Sequence, residues 1–338
     1  MRKILALLTV LLSVTAWAGD LEDGLTAFER GDYVTAVSYL DAAAARGNVT
    51  AQVFLGIMYD QGQVVVQNHR EAARLYTLAA GQGDANAQYY LGVMYDQGKG
   101  VPQDYAEAVR LYKLAAEQGV AEAQGALGFM YDQGKGVAQD YVEAMRFYKL
   151  AAKQGSAHAQ YNLGVMYEHG KGVPPDYVEA VRFYNLAAEQ GEANAQTNLG
   201  FLYTQGQGVP QDYSEAARLY QLAAEQDVAR AQFNLGILYE EGRGVPQDYV
   251  EAVRFYKLAA EQGNADAQNN LGVMYATGEG VPKDQVLAYM WLDLAATLGN
   301  EKAKRNIDLI AENTIQVQIA EAQKLALECS IRNYKNCD

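Results

Sequence analysis

Residues 87–92 read Ala-Gln-Tyr-Tyr-Leu-Gly, and the pattern Ala-Gln-x-x-Leu-Gly returns every 36 residues, beginning at Ala51, Ala87, Ala123, Ala159, Ala195, Ala231 and Ala267. No copy slips by a residue. A fixed period in the range of about 20 to 50 residues marks a solenoid, in which each unit buries its apolar face only against its neighbours.

The copy starting at Ala87 shows what one unit is. Ala87, Leu91 and Tyr95 fall four residues apart with Val93 and Met94 beside them, which predicts a helix with a broad apolar stripe. Gly98-Lys99-Gly100-Val101-Pro102 ends it. Asp104 is placed to cap a second helix, and Glu107 three residues on completes a capping-box pattern, repeated at Asp140/Glu143, Asp176/Glu179, Asp212/Glu215 and Asp248/Glu251. That helix runs through Ala108, Leu111, Tyr112, Ala115 and Ala116 to Gly119, whose left-handed conformation would close it. Glycine inside a helix costs about 1 kcal/mol relative to alanine. Gly56, Gly92, Gly128, Gly164, Gly200, Gly236 and Gly272 nonetheless sit inside the first helix of each copy, which implies that the paired helix approaches too closely there for a side chain.

Leu-Gly followed by Tyr, then Gly-x-Gly-Val-Pro-x-Asp-Tyr, then Ala-x-x-x-Tyr-x-Leu-Ala-Ala-Glu-Gln-Gly resembles the Sel1-like repeat, a relative of the tetratricopeptide repeat with a longer loop between helices. The resemblance covers about residues 32–299. It implies an all-α fold, a right-handed α/α superhelical solenoid of helix-turn-helix repeats, whose concave face serves as a scaffold for a protein or peptide. Members are often exported bacterial proteins acting in envelope assembly, signalling or host contact. A structural role in envelope assembly and a weak β-lactam-binding or hydrolysing activity are the alternatives. The latter belongs to a branch with a cysteine pair in each repeat, and this chain has none there.

The expected division is a signal peptide at 1–18, N-terminal capping helices at 19–50, seven repeats at 51–300, and closing helices with a tail at 301–338. The closing helices are expected at Glu301 to about Ala311 and at Ile315 to about Cys329, the second capped by Thr314. Arg2 and Lys3, the apolar run Ile4 to Val14 and the small-x-small Ala16-Trp17-Ala18 follow the order of an export signal cleaved after Ala18. The expected location is therefore the periplasm or the outside of the cell, with no membrane insertion after cleavage. Without residues 1–18 the chain has 25 basic residues against 41 acidic ones, a net charge of −16, which disfavours nucleic acid as a partner. Cys329 and Cys337 are the only cysteines. In an oxidising compartment a disulfide is the natural reading; two free thiols or part of a metal site are the alternatives.

Tyrosine occurs 25 times, and 19 copies occupy the slots of Tyr95, Tyr105 and Tyr112, which makes them repeat core. Tyr89, Tyr90 and Tyr161 fall outside those slots, on first helices, and are candidate groove residues. Asn162, Asn198, Asn234 and Asn270 share one first-helix slot in four successive copies. In tetratricopeptide domains the matching slot can face the groove and hydrogen-bond a bound peptide; the other reading is packing between repeats. The three histidines occupy unrelated slots, and no P-loop, Gly-x-Ser-x-Gly elbow or metal-ligand spacing is present, so neither enzymatic activity nor a cofactor is expected. Val64-Val65-Val66 replaces Gly-Val-Pro in the first loop, as packing or as an exposed contact.

Overall fold

The computed structural model describes residues 18–62, 64–311 and 315–337. The expected export signal lies outside the described residues except for Ala18, as does the expected cap Thr314. Among the described residues there are 18 helices and no strand, in two compact units, residues 1–156 and 157–338. The first unit holds α1 (Ala18–Glu29), α2 (Tyr33–Ala45), α3 (Val49–Gln61), α4 (His69–Gly81), α5 (Ala85–Gln97), α6 (Tyr105–Glu117), α7 (Ala121–Gln133) and α8 (Tyr141–Lys153). The second holds α9 (Ala157–His169), α10 (Tyr177–Glu189), α11 (Ala193–Gln205), α12 (Tyr213–Ala224), α13 (Ala229–Glu241), α14 (Tyr249–Ala260), α15 (Ala265–Thr277), α16 (Gln285–Thr297), α17 (Glu301–Ala311) and α18 (Gln316–Ile331).

Each pair closes where the sequence puts glycine. A Cβ on Gly92 would sit 2.7 Å from the Tyr112 ring, and one on Gly236 would sit 2.7 Å from the Tyr256 ring. Gly24 meets Leu40 in the same way, although its linker is shorter. The tyrosine slots divide: Tyr76, Tyr112, Tyr148, Tyr184, Tyr220 and Tyr256 are fully buried, whereas Tyr95 and Tyr105 are half-buried beside the core.

The second helices begin at aspartate, or at Asn68 in α4, but not through the reciprocal bond that a capping box requires. Asp104 accepts from the backbone of Ala106 and Glu107, both at 3.0 Å. Its own N–H already donates to the Tyr95 carbonyl at 2.9 Å. Glu107 is therefore released to pair with Arg110 at 2.6 Å, and Glu143, Glu179, Glu215 and Glu251 pair with the arginine three residues on in the same way. The exposed face of the second helices thus repeats one ion pair along the chain.

Neighbouring pairs are joined by a contact that sequence reading passed over. The glutamine of each Ala-Gln is buried, from 0 to 5% exposed. Gln232 donates to the Ala224 carbonyl at 3.3 Å and accepts from Gln262 at 2.8 Å. The rung repeats at Gln52/Gln82, Gln88/Gln118, Gln124/Gln154, Gln160/Gln190 and Gln196/Gln226. It stops at Gln268, where the residue 30 positions on is Leu298. A buried donor or acceptor left without its partner costs about 1–3 kcal/mol. Gln232→Met, of similar volume, is therefore expected to lower unfolding free energy by about 1–3 kcal/mol in a urea titration, while Gln205→Met, at an exposed position, changes little.

In the first loop Val64 and Val65 pack against the core, and Val66 is 90% exposed. Asp227 stands where a closing glycine is expected and takes φ +60 all the same. At the C-terminus Cys329 is buried and bonded to Cys337, with Cα atoms 5.1 Å apart. The bond folds the tail back so that Tyr334 N–H donates to the Cys329 carbonyl at 2.9 Å.

Candidate binding face of the first helices

In the second unit the first helices α9, α11, α13 and α15 present corresponding slots. The asparagine slot is half-buried in all four. Asn162 donates to the His158 carbonyl at 3.0 Å. Asn198 donates to the Tyr184 hydroxyl at 3.0 Å and accepts from Arg230. Tyr184 in turn donates to Glu168 at 2.5 Å. Asn234 lies beside the Tyr220 hydroxyl, and Asn270 beside that of Tyr256, which donates to Glu240. Asn198 therefore satisfies the hydroxyl of the buried tyrosine in the preceding repeat, and Asn234 and Asn270 stand next to the corresponding hydroxyls. That bond is a packing contact, and an asparagine that makes it keeps one N–H and spare acceptor capacity for anything lying on the face.

Burial raises the pKa of all these tyrosines, and the hydrogen bonds that Tyr184 and Tyr256 donate to Glu168 and Glu240 add to it. Tyr220 is pushed up to about 12 by burial, with the Thr204, Arg230 and Asn234 contacts opposing.

Tyr161 is half-buried, its ring 6.0 Å from that of Tyr184. In the first unit Tyr89 and Tyr90 are also half-buried: Tyr90 stacks on Tyr76 at 5.3 Å, and Tyr89 lies 5.9 Å from Tyr112. Each of the three packs against the repeat core and stays partly exposed. Sequence reading missed Phe129 and Phe201, which share one first-helix slot and are 37% and 45% exposed. Their signal was a large aromatic where other copies carry Val93, Val165 or Ile237.

The face also varies from copy to copy at two slots. His158, Asn194, Arg230 and Asp266 occupy one slot, and Tyr161, Thr197, Phe233 and Asn269 another. At its far end Phe233, Ile237, Glu240, Glu241, Asp266, Asn269, Asn270 and Lys302 line a cleft of about 380 Å³. No group of three His, Cys, Asp or Glu residues that could hold a metal ion exists among the described residues. No helix of the described residues is long and apolar enough to cross a membrane.

No curated protein sequence matches the chain. Among solved structures, a Sel1 repeat protein from Oxalobacter formigenes is 35% identical, with 91% of this chain and 93% of that one covered at a TM-score of 0.66. A protective antigen of uropathogenic Escherichia coli strains, c5321, which displays an SLR fold, is 26% identical over 98% of this chain and 94% of its own, at a TM-score of 0.61. The Sel1 repeat itself is matched eight times without a gap longer than the repeat boundary, at residues 18–48, 49–84, 85–120, 121–156, 157–192, 193–228, 229–264 and 265–300. Its first match falls on α1 and α2, the pair that the sequence reading set apart as an N-terminal cap. The helix pairs, the glycine-to-tyrosine closures and these eight matches have one explanation: the chain belongs to the Sel1 repeat family.

Proposed function

We propose that this chain is an exported, non-enzymatic scaffold that holds an extended protein segment along the exposed, concave face of its first helices. Sel1 repeat proteins are generally protein-interaction scaffolds, and their solenoid is typically non-catalytic. The observation that carries the reading is where the copies differ. The second helices repeat the same Glu–Arg pair outward, as a solvated face requires. The first helices change from histidine to asparagine, arginine and aspartate at one slot, and expose Phe201 between them. Repeated packing explains sameness; it does not explain an outward slot that runs from histidine and asparagine to a cationic arginine and then an anionic aspartate. Asn162, Asn198, Asn234 and Asn270 lie along this face with hydrogen-bonding capacity left over, and Tyr161 is partly exposed beside them. The export order of residues 1–18 supports a partner met outside the cytoplasm, and the acidic balance disfavours nucleic acid in that role.

A photo-reactive amino acid placed at Phe201 is expected to crosslink a defined protein in the native cell envelope, and one at Val178, on a second helix and 65% exposed, to give none. Equal yields at the two positions, or none at either, would sink the reading.

A further inference from the structure

The cleft at the far end of the first-helix face has a chemistry that narrows what can enter it. Phe233 and Ile237 are its apolar lining, and Glu240, Glu241, Asp266 and Lys302 its charged lining. Its volume of about 380 Å³ lies in the range of roughly 300–1,000 Å³ in which proteins hold small ligands or single anchoring side chains. Each carboxylate has one contact in place: Glu240 accepts from the Tyr256 hydroxyl, Glu241 pairs with Arg243 at 3.1 Å, and Asp266 accepts from Asn300 at 2.8 Å. Lys302 makes no ion pair with any of them among the described residues, so the cleft keeps an excess of negative charge beside an aromatic ring. Asn269, 95% buried, holds the wall rigid by donating to Asn270 at 3.1 Å and accepting from Asn306 at 2.8 Å.

From this we infer that the cleft is a pocket for one arginine side chain of the bound segment, its guanidinium over Phe233 and hydrogen-bonded to Glu241 and Asp266. Arginine fits better than lysine on two counts. A planar guanidinium stacks on an aromatic face and forks onto carboxylates, whereas an ammonium keeps its hydration more tightly. The occupant is a protein segment, because the pocket opens on the face proposed above to hold one; the inference rests on that reading.

The test uses the full chain and acetylated Gly-Ser peptide amides carrying one arginine, lysine or citrulline, with binding followed by the shifts of the Asn269 and Asn270 side-chain amide signals. Arginine is expected to bind saturably and at least tenfold more tightly than citrulline, which has its shape without its charge. Glu241→Gln with Asp266→Asn should abolish the shifts. Glu143→Gln with Glu215→Gln, the same change in net charge on second helices, should leave them within twofold. Equal weakening by both double variants means bulk attraction and overturns the pocket, as does equal binding of citrulline. If the pocket fails while the Phe201 crosslink persists, the scaffold reading stands without it. If the crosslink fails while arginine binds, the pocket stands as a site of its own.

Discussion

Gly244→Ala is expected to destabilise its unit by roughly 2–5 kcal/mol, while Gly119→Ala costs about 1 kcal/mol. Both glycines have positive φ, +71° and +91°, so both substitutions carry the steric cost of a Cβ in that region. They differ in what surrounds them. Around Gly119 the added carbon meets nothing within 4 Å. At Gly244 it would overlap the backbone carbonyl of Tyr213, where α12 begins in the preceding repeat, and a carbonyl fixed at a helix start cannot rotate away as a side chain would. Gly100 stands against the His69 carbonyl, Gly136 against Tyr105, Gly208 against Tyr177 and Gly280 against Tyr249 in the same way. The second glycine of the loop is therefore the place where successive repeats touch backbone to backbone. Urea denaturation of the two variants checks this; equal losses would show that φ alone decides the cost.

The second large effect is expected in alkali. Each unit holds three fully buried tyrosines at the Tyr112 slot, Tyr76, Tyr112 and Tyr148 in the first and Tyr184, Tyr220 and Tyr256 in the second. Burial comes first among the causes that raise the pKa of all six, Tyr220 to about 12 and the others further. Below about pH 10 both folded and unfolded chains keep these protons, and the stability they confer is fully present. As the pH rises above about 10 the unfolded chain releases protons that the folded chain retains, so stability is lost through the window up to the folded pKa values. One such tyrosine contributes a slope of about 1.4 kcal/mol per pH unit, and three in one unit about 4. A unit with a stability of about 5 kcal/mol therefore unfolds a little more than one pH unit above 10. Far-UV circular dichroism and tyrosinate absorbance followed together should show the last tyrosines ionising as the helices melt. Complete ionisation with helicity intact would refute the account.

The helix pairs were legible in the sequence because their signals are local. Asp104 caps within three residues, Gly119 closes its own helix, and Gly92 announces a close neighbour by lacking a side chain. Glu107 was misread because its supposed target, the Asp104 N–H, is taken by Tyr95 across the loop, a bond that no local pattern encodes. The buried glutamines were passed over because glutamine usually lies at the surface. Their sameness next to the alanine of every copy was the available clue. Asn198 and Asn234 could not be assigned from sequence to groove or to packing, since one amide has enough hydrogen-bonding groups to serve both, and the tyrosine that claims part of it lies 14 residues away.

The glutamine rungs also say how such a chain can change over time. Every rung joins residue types that recur at the same spacing, so excising residues 193–228 would leave Gln160 with Gln190 and Gln232 with Gln262, and would offer α10 a new neighbour with the same alanine, glutamine and glycine slots. Whole copies can thus be gained or lost by recombination without any joint being redesigned. The number of repeats then behaves as an adjustable ruler: selection can lengthen or shorten the reach of the molecule in steps of one helix pair, and alter the face and the joints separately.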